Sequence, residues 1–407
     1  MKIAIPAERA ADETRVAATP SVAGDYVKMG HEVVVQASAG ARSFHSDAEY
    51  EEAGATIARS AKETVADADV VLTVRRPADE LIAAMKEGAL LIGQLDPYSD
   101  GGFLAALNKR RIAAFAMELM PRITRAQSMD VLSSQASLAG YKAVIEAANV
   151  FPRIFPMMMT AAGTIPPVKV FVMGAGVAGL QAIATAHRLG AAVSATDVRP
   201  EAGEQVRSLG GKFIFLEELA AAGEGGYARE LTDEQKKKQA ELVAAHIRDM
   251  DVVITTALIP GRPAPQLVGK EMVESMRPGS VIVDLAVERG GNCPLSKPGE
   301  VVEHGGVRII GYTNMAGRVP GNASSLYANN LRNFLKLMLS GEDGALNIDR
   351  GDEIIAGTCM TIGGETVHPL LTAAQEEAGA GKVEQEEEKS GQKESGEKDA
   401  ERKKEEG

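Results

Sequence analysis

The sequence has little of several residue types that would indicate particular functions. Its two cysteines, Cys293 and Cys359, have neither a CxxC spacing nor a neighbouring histidine, so neither a disulfide framework nor a metal site is expected. The net charge of -12 argues against binding to a nucleic-acid backbone, which requires clustered lysine and arginine. Prolines, glycines and a lysine interrupt the most apolar region, residues 151–189, so no window there can span a membrane. The first residues, MKIAIPAERA, lack the apolar core of a secretion signal. These absences predict a reduced, cytoplasmic protein.

What the sequence does contain is the composition of a packed globular protein, with 45% hydrophobic and 25% charged residues. Short β-rich segments alternate with helical patterns, which is typical of a parallel sheet. The first group of predicted strands comprises Lys2–Ile5, Glu32–Gln36, Asp69–Val74, Ala89–Ile92 and Ile112–Ala116. The second group comprises Val168–Met173, Ala192–Thr196, Lys212–Leu216, Asp251–Thr256, Ser280–Ala286 and Val307–Ile310. The sequence therefore predicts an α/β protein with two doubly wound parallel-sheet domains and a cleft between them.

Two long helical patterns connect these groups. Ala126–Asn149 separates them, and Ser324–Leu339 follows the second group and is predicted to return to the first domain. We therefore predict a discontinuous first α/β domain, residues 1–128 and 322–375, around a second domain at residues 129–321. Residues 376–407 are rich in Glu, Lys, Gly and Ser with almost no apolar side chains, which predicts a disordered charged tail.

A glycine motif follows the first strand of the second domain. Gly174, Gly176 and Gly179 form GxGxxG between the strand VKVFVM and the helix LQAIATAHRLG. In this context the first glycine permits the tight turn, the second lets the backbone approach a pyrophosphate, and the third allows close helix packing. An ordinary glycine-rich βα turn would match the same pattern. Asp197, however, ends the next strand, where its carboxylate can accept hydrogen bonds from adenosine ribose hydroxyls. This favours a Rossmann domain that binds NAD rather than NADP, with the nearby Arg199 as the one opposing feature.

Polar side chains recur at helical spacing just before this domain. Gln127, Asp130, Ser133 or Ser134, and Ser137 are predicted to share one helix face. The opposite face would carry Met129, Leu132, Ala136 and Ala139. Most such polar faces are simply solvated. Here the helix leads directly into a dinucleotide domain, so its amide and hydroxyl groups, with the guanidinium of Arg122, suit a nicotinamide carboxamide and ribose.

Histidine is absent between residues 46 and 186, which include the wall of the first domain and the polar helix. Dehydrogenases that oxidise a hydroxyl or an amine commonly need an acid/base group for the accompanying proton. A direct transfer between two nicotinamides moves only the hydride and needs positioning instead. The absence of imidazole therefore favours transfer to a second nucleotide carrier.

The sequence resembles the NAD(H)-binding component, the alpha subunit or domain I, of proton-translocating NAD(P) transhydrogenases in the alanine dehydrogenase/transhydrogenase family. The resemblance covers nearly all of the chain before the predicted tail. It is carried by MELMPRITRAQSMDVLSSQASLAGYKAV, FPMMMTAAGTIPP, VMGAGVAGLQAIATA, ITTALIPGRPAP and SVIVDLAVERGGNCPLS. It implies an oxidoreductase that presents NADH for hydride transfer to NADP+ on a partner component.

The resemblance also implies roles for individual residues. Around the nicotinamide end, as catalytic and binding residues, it places Arg122, Gln127, Asp130 and Ser133. Around the adenosine half and pyrophosphate it places Gly174, Gly176, Val177, Ala178, Gly179, Asp197, Val198, Ala257 and Leu258. Tyr227 in GEGGYARE resembles a residue of a mobile loop that closes over the nucleotide, although a surface excursion would have the same composition. No metal is implied.

Partners are implied by the resemblance alone. The family forms a homodimer of this component, which docks on an NADP(H)-binding component, while a membrane-embedded component translocates protons. This chain would then work at the cytoplasmic face of the inner or plasma membrane.

Two other functions fit some of the sequence. Alanine dehydrogenase shares the fold, and Arg15 resembles the arginine that binds its substrate carboxylate. Where that enzyme has a lysine and a histidine, however, this chain has Arg75 and Gln94, so imine reduction lacks a proton donor. Gln94 and Asp96 also depart from the usual transhydrogenase residues in this wall. A noncatalytic NAD-sensing module is the third candidate, although a sensor would not need the polar helix at the nicotinamide end.

Overall fold

The computed structural model describes residues 1–99, 102–215, 233–340 and 345–373. The predicted tail and the predicted nucleotide contact Tyr227 lie outside the described residues. The described segments form two sheet-centred bodies, and the α/β class and parallel sheets predicted from the sequence are confirmed.

The first body is built on an eight-stranded sheet of described residues. Its strands are β1 (Lys2–Ile5), β2 (Glu32–Gln36), β3 (Thr56–Ala58), β4 (Val70–Leu72), β5 (Leu90–Gly93), β6 (Ala113–Ala116), β18 (Cys359–Ile362) and β19 (Glu365–Thr366). Their spatial order is β19-β18-β6-β5-β4-β1-β2-β3. The first six strands run parallel, and β18 and β19 add an antiparallel edge from much later in the chain. The central strands are buried on both faces, which explains continuous apolar runs such as LLIG.

The second body is built on a seven-stranded sheet of described residues. Its strands are β9 (Lys169–Met173), β10 (Ala192–Thr196), β11 (Lys212–Phe213), β12 (Val252–Thr255), β13 (Val281–Asp284), β14 (Val301–His304) and β15 (Val307–Ile310). The order is β11-β10-β9-β12-β13-β15-β14, with β14 antiparallel at the edge. The chain proceeds from β9 outward to β11 and then returns to β12 on the other side of β9. Such a reversal makes a crevice at the carboxyl ends of the strands, where open α/β sheets bind ligands.

Helices cover both sheets. Those of the first body span Pro20–Lys28, Asp47–Glu52, Ala61–Val65, Asp79–Ala84, Gly102–Lys109 and Glu353–Thr358. Those of the second span Val177–Arg188, Ala202–Ser208, Asp233–Ile247 and Lys270–Ser275. Two longer helices, Val131–Val150 and Pro320–Leu337, lie between the bodies. Tyr327, Leu331 and Phe334 of the second long helix are buried in the core of the first sheet, so this helix does return to the first body.

Several predicted boundaries were wrong for local reasons. The polar helix was predicted from Ala126, but it begins at Val131, because Asp130 is its N-cap and residues 124–129 form a 3-10 turn. The helix predicted at Ser324–Leu339 begins at Pro320, since proline is favoured in the first helical turn. Short strands escaped prediction, including the exposed hairpin β7 (Met158–Thr160) and β8 (Gly163–Ile165) and the pair β16 (Leu339–Ser340) and β17 (Ala345–Leu346).

Across the described segments of the chain, no helix has both the length and the apolar character needed to cross a membrane.

Candidate functional site

The glycine turn lies at the carboxyl end of β9, in the crevice of the second sheet. Gly174 has a φ of +105°, which favours glycine, and a Cβ there would overlap the Thr256 hydroxyl. A Cβ on Gly179 would overlap the carbonyl oxygen of Gly174. Around Gly176, by contrast, there is nothing within 4 Å of an added Cβ. The first and third glycines are thus required by the protein itself, whereas the second faces open space in which a ligand can approach the backbone.

The helix after this turn presents its N-terminus to the same space. Gly176 is its N-cap and provides no side-chain hydrogen bond, so the first backbone N–H groups remain available to an anion. Val177 and Ala178, both predicted contacts, form the first turn of this helix, and Val177 is exposed. The arrangement fits a pyrophosphate.

Asp197 follows β10 directly and lies beside the glycine turn. Its carboxylate accepts a hydrogen bond of 2.7 Å from the Ala175 N–H and therefore fixes the turn. The Arg199 side chain binds the same carboxylate, with Nε 3.0 Å from Oδ1. Burial opposes ionisation of Asp197, but the hydrogen bonds from Arg199 and Ala175 outweigh it and hold its pKa below the usual range. Val198, the neighbouring predicted contact, is 80% exposed.

The loop after β12 forms the other side of the crevice. Asn292 holds it, because its amide accepts from the Ala257 N–H at 3.1 Å and donates to the Ala257 carbonyl at 2.9 Å. Asn292 is in turn positioned by Asp284, a buried carboxylate that accepts hydrogen bonds from the Asn292 N–H and from the Ser296 hydroxyl. Asp284 and Asn292 were not predicted from the sequence, since nothing in their local pattern distinguishes them from ordinary loop residues. Their effect is to present Leu258, which is 52% exposed, toward the solvent side of the loop.

The predicted nicotinamide-end residues form two pairs with different environments. Asp130 caps the long helix, accepting hydrogen bonds from the Ser133 N–H at 3.0 Å and from the Ser133 hydroxyl. Arg122 and Gln127 are exposed on the preceding segment. Gln127 and Asp130 therefore do not share a helical face with Ser133 as predicted, although all four lie within one short stretch.

The long helix connects this polar end to the glycine turn. A Cβ on Gly140 would overlap the carbonyl oxygen of Ala178, so the two helices touch at this glycine. Ser133 and Ser137 precede Gly140 by seven and three residues, and helical geometry puts all three on one face. At 1.5 Å per residue, Ser133 lies about 10 Å along the helix from this contact, toward the helix N-terminus.

The opposite face of the same helix contacts the first body. The buried Gln135 accepts a hydrogen bond of 2.9 Å from Arg15, and Arg15 is bound by Glu13 through Nε and NH2, both at 2.7 Å. Arg75 also reaches Glu13, at 2.8 Å, and Gln94 lies 3.5 Å from Arg15. Burial disfavours ionisation of Glu13, but the two guanidinium groups overcome it and lower its pKa to about 2.

Glu8 is an acidic group in this wall that no sequence pattern indicated. Its carboxylate accepts hydrogen bonds from the backbone N–H groups of Val74, at 2.6 Å, and Arg75, at 3.3 Å. Burial raises its pKa to about 7, despite these bonds. The first-body wall lacks imidazole between residues 46 and 186, yet it holds a carboxyl group that titrates near neutral pH.

One loop of the first body, after β5, contacts two loops of the second body. Asp96 accepts a hydrogen bond of 2.6 Å from Arg289, and the Tyr98 ring lies against Gly261. Asp96 has a φ of +49°, and Glu118 stabilises this conformation by accepting from the Asp96 N–H at 2.8 Å. The loops that follow β12 and β13 are therefore tied to the first-body wall.

Within the described residues, no group of His, Cys, Asp or Glu side chains is arranged to hold a metal ion. Cys293 and Cys359 are buried and unpaired with each other.

The sequence matches two family profiles that together span most of the chain. The profile described as "Alanine dehydrogenase/PNT, N-terminal domain" matches residues 4–139, and the corresponding C-terminal domain matches residues 143–369.

Individual relatives carry transhydrogenase and alanine dehydrogenase names. The chain is 54% identical to an NAD(P) transhydrogenase subunit alpha polypeptide of Rhodospirillum rubrum, over 91% of this chain and 99% of the relative. It is 33% identical to "Alanine dehydrogenase 2" of Staphylococcus aureus, over 84% of this chain and 88% of that protein. Among solved structures it is similar to a transhydrogenase from Sinorhizobium meliloti, with a TM-score of 0.83 and 53% identity over 90% of this chain and all of that one.

Proposed function

This chain belongs to the alanine dehydrogenase/PNT family, and we propose that it is the NAD(H)-binding component of a proton-translocating NAD(P) transhydrogenase. In this function it holds NADH for direct hydride transfer to NADP+ on another component. The identity of 54% to a transhydrogenase alpha subunit, against 33% to an alanine dehydrogenase, supports this choice within the family.

The observation that carries the proposal is the open cradle at Gly176, where an added Cβ would meet nothing within 4 Å. The backbone N–H groups at the start of the helix Val177–Arg188 would bind the pyrophosphate, and Asp197 would bind the adenosine ribose. The bound nicotinamide would supply the hydride. The protein's task is then orientation, because transfer between two nicotinamides releases no proton.

The nicotinamide end would be oriented by the polar residues at the start of the long helix. Asp130 and Ser133 are fixed to each other by hydrogen bonds, so they offer a preorganised contact for a carboxamide or ribose. Arg122 and Gln127 are exposed and would complete the site from the preceding segment. The four residues thus divide into a rigid pair and an adjustable pair.

The same function requires partners. We propose an NADP(H)-binding component that supplies the second nicotinamide, and a membrane-embedded component that moves protons, with this chain bound peripherally at the cytoplasmic face. A homodimer is also proposed, and the hairpin Met158–Thr160/Gly163–Ile165 supports it, because Met158 and Met159 are exposed and apolar. The domain division at residues 128/129 and 321/322 and the charged tail at 376–407 belong to this proposal as well.

The test is reconstitution. The purified chain is mixed with a separately purified NADP(H)-binding transhydrogenase component, and NADH-dependent reduction of an NADP analogue with a shifted absorbance is followed. We expect reduction that requires both proteins, and each protein alone is the control. Binding of NADH without any transfer to the second nucleotide would instead favour an NAD-sensing module.

Alanine dehydrogenase is the second candidate, because Arg15 and Arg75 both bind the buried Glu13 and Gln94 lies 3.5 Å from Arg15. That arrangement resembles a carboxylate-binding wall. NAD reduction that depends on alanine, catalysed by this chain alone, would establish this activity and overturn the transhydrogenase proposal.

A further inference from the structure

The Asp197 carboxylate is saturated with hydrogen bonds from the protein itself. Oδ2 accepts from the Ala175 N–H at 2.7 Å and from Arg199 NH2 at 3.2 Å. Oδ1 accepts from the Arg199 backbone N–H at 2.9 Å and from Arg199 Nε at 3.0 Å. A carboxylate offers about four acceptor positions, so none remains for a ribose.

The four hydrogen bonds differ in how readily they can be exchanged. Two come from backbone amides that are fixed by the glycine turn and by the end of β10. The other two come from a single side chain, that of Arg199, which is 51% exposed, whereas the Asp197 side chain is only 7% exposed. Release of the Arg199 guanidinium frees one position on each oxygen of Asp197. The 2′- and 3′-hydroxyls of an adenosine ribose require two such positions.

We propose that the Arg199 side chain occupies the adenosine-ribose position, competes with NAD(H) for Asp197, and so helps to set the nucleotide preference of the site. The inference rests on the proposed function, because it takes Asp197 as the ribose-binding residue. Arg199 thus contributes, together with Asp197, to the choice between NAD(H) and NADP(H).

The competition has opposite consequences for the two nucleotides. NADH must displace the guanidinium, and Arg199 opposes its binding to that extent. NADPH carries a 2′-phosphate, which would meet the negative charges of Asp197 and the nearby Glu201, with Arg199 as the opposing positive charge. Arg199 also lies 3.4 Å from the Ala175 carbonyl, so it stands between the ribose position and the glycine turn. Removing it should therefore strengthen NADH binding and weaken NADPH binding.

The experiment compares the wild-type chain with Arg199→Ala in equilibrium titrations with NADH and with NADPH. We expect the Kd for NADH to fall, by about fivefold at most, because a half-exposed ion pair contributes little free energy and is easily displaced. We expect the Kd for NADPH to rise about tenfold or more, because a charge-assisted hydrogen bond to phosphate is lost. Arg199→Lys keeps the charge but cannot bind both carboxylate oxygens with a planar fork. Its Kd values for NADH and NADPH should therefore lie between those of the wild type and those of Arg199→Ala.

Arg207→Ala is the matched control, since Arg207 is an exposed arginine on the adjacent helix Ala202–Ser208. Loss of a positive charge there should weaken both nucleotides slightly and in the same direction. Thermal unfolding checks that each variant is folded. If Arg199→Ala shifts NADH and NADPH in the same direction, or shifts neither, the inference is overturned while NADH binding by the wild type still supports the proposed function. If the wild type binds neither nucleotide, both fail.

Discussion

Replacement of Gly176 by alanine separates ligand binding from folding at the glycine turn. The residue has φ of -78° and ψ of -168°, an extended conformation that alanine also adopts, and an added Cβ meets nothing within 4 Å. Alanine is less favourable than glycine as an N-cap by about 0.7 kcal/mol, but replacing glycine with alanine restricts the unfolded chain and so stabilises the fold by about 0.4–1 kcal/mol. The two effects nearly cancel, so we expect the free energy of unfolding to change by no more than about 0.5 kcal/mol.

Binding should change much more. A pyrophosphate oxygen that accepts from a backbone N–H comes within about 2.9 Å of it, whereas a methyl carbon needs about 3.5 Å. The added methyl group would therefore push the pyrophosphate off the helix N-terminus. Losing one charge-assisted hydrogen bond costs about 1.5–3 kcal/mol, so the Kd for NADH should rise about 10- to 150-fold.

The assay pairs NADH titration with chemical denaturation. Gly179→Ala is the control, because its Cβ would overlap the Gly174 carbonyl oxygen and should cost about 1–3 kcal/mol of stability. Unchanged NADH affinity in Gly176→Ala would refute the placement of the pyrophosphate. A loss of stability equal to that of Gly179→Ala would refute the claim that this position faces a ligand.

Three further predictions concern other residues of the site. Asp197→Ala should weaken NADH binding and relax discrimination against NADPH in equilibrium titrations; if both are unchanged, Asp197 does not bind the ribose. Gln127→Ala should slow single-turnover hydride transfer more than it weakens adenosine binding, whereas equal losses would argue against a role at the nicotinamide. Glu13 has its pKa lowered from 4.5 to about 2, so its stabilising contribution is complete above about pH 4.5 and is lost as the pH falls toward 2. At about 1.4 kcal/mol per pKa unit this amounts to about 3 kcal/mol. Glu13→Gln should flatten the decrease of the urea midpoint below pH 5, and parallel curves for the two proteins would contradict this.

Local pattern was sufficient to predict most of the second sheet and the glycine turn. The runs VKVFVM and DVVITT are apolar along their length because strands buried on both faces have no solvent side. Gly174 and Gly179 could be identified because their roles depend only on the neighbouring turn and helix. The position of Asp197 beside that turn could be predicted because it comes at the end of the next strand along the chain.

Other features depend on contacts that local pattern does not encode. The sequence around Asp130 is compatible with a position inside the helix and with an N-cap. Only the hydrogen bond that its carboxylate accepts from the Ser133 N–H shows that it is the N-cap. Burial raises the pKa of Glu8, and its hydrogen-bond partner, the Val74 N–H, is far away in sequence. The pairing of Arg199 with Asp197 was also missed, since sequence proximity indicates that an arginine is near but not which group it binds.

The late strand β18 has a consequence for how the chain is made. Cys359 and Thr361 pair with Phe115 and Ala114 of β6, so the edge of the first sheet is covered only after the entire second body has been synthesised. Until then a nascent chain on the ribosome carries β6 as an open, apolar template for intermolecular association. The second body, whose strands all lie between residues 169 and 310, has no such delay. During synthesis the second sheet can therefore be complete while the first sheet still lacks its last two strands.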